Sequence, residues 1–183
     1  MKIKILGGDD YRTSVWSGGT TTQLYIYPED GDYAARRFDV RISSATVDDE
    51  ESDFTPLPGV TRYITPIKGG FTLTHPGKAP VVMAPCDAPY RFDGGIPTHS
   101  AGRAADMNLM LKGVDGLMEM AYDRQELRPG LNALWPVGGG VIRVGDEKYR
   151  LEAGQLIVVE LAEGESAAAV CPRSIYFFAD IAF

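Results

Sequence analysis

The stretch VGGGVIRVGDEKYRLEAGQLIVVELAEG, residues 137–164, carries the clearest fold signal in the chain. It consists of short runs of valine, isoleucine, leucine and tyrosine that glycines separate. Gly145-Asp146-Glu147 suits the tight turn of a hairpin, and the glycine-bounded run QLIVVEL is typical of a buried strand. The stretch therefore predicts consecutive antiparallel hairpins.

The same punctuation extends over the rest of the chain. Its 183 residues include 21 glycines and 12 prolines, dispersed rather than collected in one linker. Between them lie runs rich in β-branched and aromatic residues, which half-buried strands prefer. These runs are QLYIY, RRFDVRISSATV, TRYITPI, FTLTH, APVVMA, DMNLMLKG, LMEMAY, GVIRVG, EKYRLEAG, QLIVVEL, AAAVC and SIYFFADIAF. His75-Pro76-Gly77-Lys78 suits a type II turn. We predict an all-β chain with few helices.

The strand spacing of residues 137–164 recurs in residues 63–92. This recurrence is compatible with a bicupin, two packed antiparallel barrels of the double-stranded β-helix or jelly-roll type. The segment KGVDG, residues 112–116, interrupts the strand pattern. We therefore expect an N-terminal barrel over residues 1–112 and a C-terminal half over residues 113–183, packed as one compact unit.

Charge and composition exclude several classes of partner. The chain has 18 lysines and arginines against 25 acidic residues, which gives a net charge of −7. It has no cluster of basic residues that could bind the phosphates of a nucleic acid. The apolar run within its first residues, MKIKILGGDD, is too short for a signal peptide. No apolar run anywhere approaches the roughly 20 residues of a membrane-spanning helix. We expect a cytoplasmic protein with no nucleic-acid or membrane partner and with Cys86 and Cys171 reduced.

Polar residues alternate along two predicted strands. One face carries Asp39, Arg41, Ser43 and Ala45 in the first, and Asp106, Asn108 and Met110 in the second. If these faces point into a barrel, a cation, a carboxylate and an amide lie within reach of one ligand. If they point outward, they are ordinary solvent faces, and alternation alone does not decide between the two.

Arg62 ends the segment DFTPLPGVTR, residues 53–62, whose two prolines and glycine fix where its side chain emerges. An arginine held in this way can bind a carboxylate or phosphate through two parallel hydrogen bonds. A rim salt bridge to the acidic run DDEESD, residues 48–53, explains it equally well. That run lacks the alternating ligands and glycine of a calcium loop.

Motifs for metal or nucleophilic catalysis are absent. His75 and His99 are the only histidines and form no HxH pair, which metal-binding cupins normally supply. There is no GxSxG elbow and no nucleotide-binding glycine fingerprint. We expect no metal and no other cofactor. The remaining unusual stretch is WSGGTTT, residues 16–22, which precedes an apolar strand. Its two glycines indicate that another group approaches the backbone closely there.

Four ordered motifs together resemble the HutD/Ves family of cupin-like proteins. They are WSGGTTT (16–22), RISSATV (41–47), DFTPLPGVTR (53–62) and DMNLM (106–110), beside the family's WxNGGGxTxE, RxSxA, FSxFPGxxR and DFNxM. The resemblance implies a bicupin without a catalytic metal. Ser17, Thr20 and Met107 depart from the family pattern, which has asparagine, glycine and phenylalanine there.

The resemblance also implies a ligand pocket. Arg41, Ser43, Asp106 and Asn108 would line it, Trp16 would close it, Thr22 would offer a hydroxyl group, and Gly18 and Gly19 would let the backbone approach. The family is associated with histidine utilisation, which its members are thought to limit by binding a pathway intermediate. No enzymatic activity is firmly attached to it.

We therefore expect a small-molecule-binding protein rather than an enzyme, with no catalytic residue. Arg41 and Arg62 would hold a small anionic metabolite, Asp106 and Asn108 would bind its polar group, and Trp16 would cover its apolar part. The alternative is a metal-independent isomerase, epimerase or lyase with Asp106 as base and His75 or Tyr63 as acid. A purely structural role is a third possibility, in which SIYFFADIAF completes the sheet of a second copy in a homodimer. Otherwise this segment is a final core strand, and a homodimer would form through another face.

Overall fold

A computed structural model describes all residues, Met1–Phe183, and is built almost entirely of strands. The strands are β1 (Lys2–Leu6), β2 (Arg12–Trp16), β3 (Gly19–Tyr27), β4 (Val40–Val47), β5 (Glu51–Asp53), β6 (Val60–Gly69), β7 (Phe71–Thr74), β8 (Val81–Met83), β9 (Tyr90–Asp93), β10 (His99–Ala101), β11 (Ala104–Lys112), β12 (Gly116–Leu127), β13 (Gly130–Pro136), β14 (Gly140–Val144), β15 (Glu147–Leu151), β16 (Leu156–Leu161) and β17 (Ala167–Ala179). The one helical element is a 3-10 turn at Gly8–Asp10. The all-β prediction is confirmed, and no helix has the length and hydropathy that crossing a bilayer requires.

The chain forms two compact units, one of residues 12–113 and one of residues 1–11 with 114–183. The first residues belong to the second unit because β1 pairs with β16, from Lys2 opposite Glu160 to Leu6 opposite Leu156. The structure thus differs from the predicted N-terminal barrel of residues 1–112, whose first strand lies in the other unit.

The unit of residues 1–11 and 114–183 contains one sheet in the order β1-β16-β13-β17-β14-β15, with β12 also paired to β17. Its apolar core includes Leu134, Ile142, Ile157 and Tyr176. As predicted, β14 and β15 form a tight hairpin, with Val144 opposite Glu147 and Gly145 at a φ of 59°.

The predicted strands AAAVC and SIYFFADIAF join into one strand, β17, which ends at Ala179, four residues before the predicted end. Pro172 does not break it because the register with β12 shifts between Ala121 and Asp123, and a proline is tolerated at such a bulge. Ile175 to Ala179 are buried and pair with both β12 and β13. The final segment is therefore a core strand with no free edge in this region.

The unit of residues 12–113 contains two sheets, in the orders β2-β3-β4-β11-β6-β9 and β5-β10-β7-β8. The neighbours β4 and β11 place Ser43 opposite Asn108 and Ala45 opposite Asp106. On β6, Arg62 lies opposite Met110. Residues directly opposite in register point to the same side of a sheet, so these polar side chains share one face.

Apolar side chains fill the rest of this unit. Ile42 and Leu109, which alternate with the polar positions on β4 and β11, are fully buried. A further buried cluster combines Phe71 and Leu73 of the second sheet with Ile64 and Phe92 of the first. The polar face is therefore held in place by strands that are anchored on their other side.

Candidate functional site

The polar face of β4, β6 and β11 lines a cavity of about 320 Å³. Side chains from β2, β3, β5 and the loop between β3 and β4 complete its wall. The two alternating polar faces therefore point inward, into one cavity, rather than into solvent. Of the residues predicted to bind a ligand, Trp16, Arg41, Ser43, Arg62, Asp106 and Asn108 lie in the wall.

Thr22 does not lie in this wall, and Thr21 takes its place. The hydroxyl of Thr22 faces the other side of β3, where its Oγ1 lies 2.9 Å from that of Thr13. The hydroxyl of Thr21 accepts a hydrogen bond from Nε1 of Trp16 at 3.3 Å. Because the side chains of a strand alternate, the threonine in this wall is Thr21, one position before the predicted Thr22.

The glycines of WSGGTTT admit the protein's own backbone and side chains. A Cβ atom on Gly19 would lie 1.9 Å from the carbonyl oxygen of Thr46 on β4. A Cβ atom on Gly18 would lie 2.4 Å from the Trp16 ring. The close approach that the sequence indicated is therefore to strand β4 and to Trp16, and not to a ligand.

Arg62 is buried rather than exposed at a rim. Its guanidinium carbon lies 4.6 Å from the ring centre of Phe54 and 5.2 Å from that of Phe92, and its Nε has no hydrogen-bond partner. Burial lowers the pKa of Arg62 to about 10, against the opposing influence of Tyr33 and Asp106. The side chain therefore remains a cation at neutral pH, and its position is not that of a salt bridge to residues 48–53.

Arg41 is held more firmly. Its Nε donates to Oε1 of Gln23 at 3.0 Å, and its Nη1 donates to Oγ of Ser43 at 3.1 Å. The ring of Tyr33 lies 4.1 Å from its guanidinium carbon. Burial lowers the pKa of Arg41, as it does for Arg62. The cavity thus contains two buried cations.

Asp106 and Asn108 lie beside these cations on β11, and Oδ1 of each is buried without a hydrogen-bond partner. Burial raises the pKa of Asp106 from 3.8 to about 7, although Arg62 and the backbone amide of Ala45 act in the opposite direction. Buried polar atoms are nearly always hydrogen-bonded. Three such atoms without partners, from Arg62, Asp106 and Asn108, converge on one cavity.

The other unit provides a contrast. Asn132 is fully buried there, and its Nδ2 donates to the carbonyl oxygens of Arg128, Gly130 and Val159. Its Oδ1 accepts a hydrogen bond from the hydroxyl of Tyr176 at 2.7 Å. A buried amide that serves only the fold is satisfied, whereas the amide oxygen of Asn108 is not.

Neither proposed acid partner of Asp106 lies in the cavity wall. Nδ1 of His75 lies 3.2 Å from the Thr98 hydroxyl, and its ring packs against Tyr90 and Phe92. Tyr63 alternates with Arg62 on β6 and pairs with Leu109 and Arg91 in the sheet. No group of three or more His, Cys, Asp or Glu side chains is arranged to hold a metal ion, and both cysteines are free.

Sequence reasoning missed Tyr33, Phe54 and Thr21 as parts of the wall. Phe54 lies within the motif at residues 53–62, where it follows the last acidic residue. Tyr33 lies in the segment GDYAARR, whose residues show no strand periodicity. Of these three residues, only Thr21 was predictable from sequence. The alternation of side chains along the strands, counted from Trp16, assigns Thr21 rather than Thr22 to the face that Trp16 occupies.

Comparisons with known proteins agree with this architecture. The HutD family model matches residues 8–167. No match was found among curated proteins. HutD from Pseudomonas fluorescens SBW25 is 21% identical, with 97% of this chain and 98% of that chain covered and a TM-score of 0.81.

Two other solved structures extend the comparison. A conserved protein of unknown function from Pseudomonas aeruginosa PAO1 is 19% identical, with 99% and 100% of the two chains covered and a TM-score of 0.84. A bacterial pirin from Escherichia coli, solved in complex with nickel(II), is 9% identical with a TM-score of 0.65 over 100% of both chains. These likenesses indicate a cupin-like fold.

Proposed function

Because the chain belongs to the HutD family, we propose that it is a metal-independent binding protein for a small anionic metabolite. The observation that carries the proposal is the convergence of unpartnered buried atoms, Nε of Arg62 and Oδ1 of Asp106 and Asn108, on one cavity. Leaving such groups unsatisfied costs about 1–3 kcal/mol each. A ligand that satisfies them recovers this cost on binding.

The two arginines determine which charge the ligand carries, because two buried cations favour an anion. Arg62 and Arg41 are both buried at the cavity, and Arg62 keeps its Nε free for a new acceptor. A planar guanidinium matches the two oxygens of a carboxylate. The ligand's acid group therefore binds at these arginines, and its polar part faces Asp106 and Asn108.

Trp16 covers the other part of the ligand. Its side chain is 38% exposed in the cavity wall, and its Nε1 is held by the hydroxyl of Thr21. An indole ring in this position contributes apolar contact area while its N–H remains satisfied. The volume of about 320 Å³ suits a small metabolite.

In biological terms, we place this protein in the regulation of histidine utilisation, through capture of an acid formed in that pathway. The support is family membership alone. We further propose that the two units are the two barrels of a bicupin, for which the support is their separate sheets and the cupin-like neighbours.

An enzymatic role is a second candidate because of Asp106. Its pKa of about 7 suits a general base near neutral pH. The acids first considered, His75 and Tyr63, lie outside the cavity wall, so a reaction would need the ligand or water to supply the second proton transfer. Absence of product after prolonged incubation of a tightly bound ligand with stoichiometric protein would exclude this candidate.

A thermal-shift screen tests the proposed function. The panel consists of urocanate, formylglutamate, glutamate, histidine, sugar acids and phosphates. A ligand at about 100 times its dissociation constant stabilises the fold by about 2.7 kcal/mol, which is readily measured. We expect an acid to raise the melting temperature of the wild type and of Arg91→Ala, whose arginine is exposed, but not that of Arg62→Met. An equal shift in all three proteins, or no shift with any acid, would contradict the proposal.

A further inference from the structure

The buried atoms of the cavity do not match a simple anion. An anion on Arg62 satisfies the free Nε donor but brings only acceptors, while Oδ1 of Asp106 also lacks a donor. A carboxylate ligand next to an ionised Asp106 would place two like charges in one cavity. Two such carboxylates stabilise a shared proton.

We propose that the cavity binds its acid together with one proton, which resides on the carboxyl group of Asp106 and is shared with the bound anion. The inference rests on the proposed function, since it concerns how the same ligand is held. The proton comes from solvent and adds to a carboxylate oxygen of Asp106. The resulting O–H then donates a hydrogen bond toward the ligand.

The charged groups around Asp106 are consistent with this role. On β6 it faces Arg62, and on β4 it faces the amide of Ala45. Arg41 lies farther along β4, opposite Met110, and acts on Arg62 rather than on Asp106. Across the cavity, the loop contributes Tyr33 and β5 contributes Asp53. Asp53 is exposed, and its Oδ1 lies 2.9 Å from Nδ1 of His99. Asp106 is therefore the only buried carboxyl group of the wall.

The cost of protonation is small near neutral pH. Burial already raises the pKa of Asp106 to about 7 without a ligand. An anion bound to Arg62 weakens the attraction of that arginine for Asp106 and adds a repulsion, and both effects favour the neutral acid. Arg62, which remains a cation, then holds one negative charge instead of two.

Calorimetric titration at pH 8 tests the proposal, with the full chain and nitrogen-free acids as probes. Acetate, succinate and glutarate carry neither an N–H donor nor a proton that titrates near this pH. Titrations in triethanolamine and in Tris, whose heats of ionisation differ and which bring no anion of their own to the cavity, measure the protons exchanged. We expect an uptake of about half to one proton per ligand, and an affinity that falls up to about tenfold per pH unit above pH 8.

Two variants locate the proton. Asp106→Asn should bind without proton uptake and with an affinity that no longer depends on pH, whereas Asp53→Asn should still show the uptake. If Asp106→Asn does not fold, the wild-type titrations in two buffers still test the proposal, because absence of proton uptake would overturn it. Uptake that persists in folded Asp106→Asn would overturn the assignment.

The remaining outcomes separate this inference from the proposed function. Binding of the nitrogen-free acids without proton uptake would overturn the inference and leave the binding function intact. Binding confined to acids that bring their own N–H donor would do the same, because the ligand would then supply the missing donor. If no acid of either kind binds, the proposed function itself fails.

Discussion

Asp106 makes the stability of the fold depend on pH. Its pKa in the folded protein, about 7, lies above the ordinary 3.8, so the folded state holds this proton more tightly than the unfolded state does. The contribution of Asp106 to the unfolding free energy is therefore greatest below pH 4. It falls as the pH rises to about 7.

We predict that Asp106→Asn stabilises the protein at pH 8 relative to the wild type, by on the order of a few kcal/mol. At pH 4 the difference should be small, because the wild-type carboxyl group is then neutral as well. Urea denaturation of both proteins at several pH values between 4 and 8 measures this difference. A difference that does not change with pH would show that burial does not perturb this carboxyl group.

Gly19 is a residue whose role is the fold alone. A Cβ atom there would collide with the Thr46 carbonyl oxygen at 1.9 Å, and neither backbone can move without disturbing the pairing of β3 with β4. We predict that Gly19→Ala lowers the unfolding free energy by about 2–3 kcal/mol. Gly8→Ala is the control, since nothing lies within 4 Å of its Cβ position. Equal stability of the two variants would refute the close approach.

Strand β3 separates two neighbouring threonines onto opposite faces. Thr21 lies in the cavity wall and contacts Trp16, while Thr22 contacts Thr13 on the other face. We predict that Thr21→Val weakens binding of the acid identified in the screen by about threefold to tenfold. Thr22→Val should leave the affinity unchanged. The reverse result in a calorimetric titration would mean that β3 is displaced by one residue.

The loop between β3 and β4 acts on the cavity through Tyr33. Its ring lies 4.1 Å from the guanidinium carbon of Arg41 and 4.6 Å from that of Arg36. Each such contact contributes about 0.5–2 kcal/mol when it is partly desolvated. We predict that Tyr33→Ala weakens acid binding roughly tenfold because Arg41 loses its support. Tyr33→Phe should bind almost as the wild type does, and an equal loss in both variants would point to the hydroxyl group instead.

At the scale of the whole molecule, local features were predictable from sequence and distant ones were not. The hairpin at Gly145 and the position of Arg41 and Ser43 on one face of their strand follow from neighbouring residues, and both are present. The pairing of β1 with β16 joins Lys2 to Glu160 across most of the chain, and no local pattern specifies that partner. Alternation likewise could not say which face was inside.

The resemblance supplied what alternation left open. It favoured the inward face for Arg41, Ser43, Asp106 and Asn108, and the structure places all four in the cavity wall. It did not supply the loop residue Tyr33, because that segment has no periodic pattern and no counterpart among the quoted motifs. The two units also differ in a way that only coordinates reveal, since Asn132 is satisfied and Asn108 is not.

The central claim is that a buried arginine binds the acid group of a ligand, and calorimetric titration of three proteins tests it most directly. The proteins are the wild type, Arg62→Met and Arg91→Ala, titrated with the acid that gives the largest thermal shift, after each has been shown to be folded. We predict an affinity loss of about 30-fold or more for Arg62→Met and none for Arg91→Ala. Equal affinity for all three proteins would contradict the account, because the acid would then bind without the cation on which the proposed site is built.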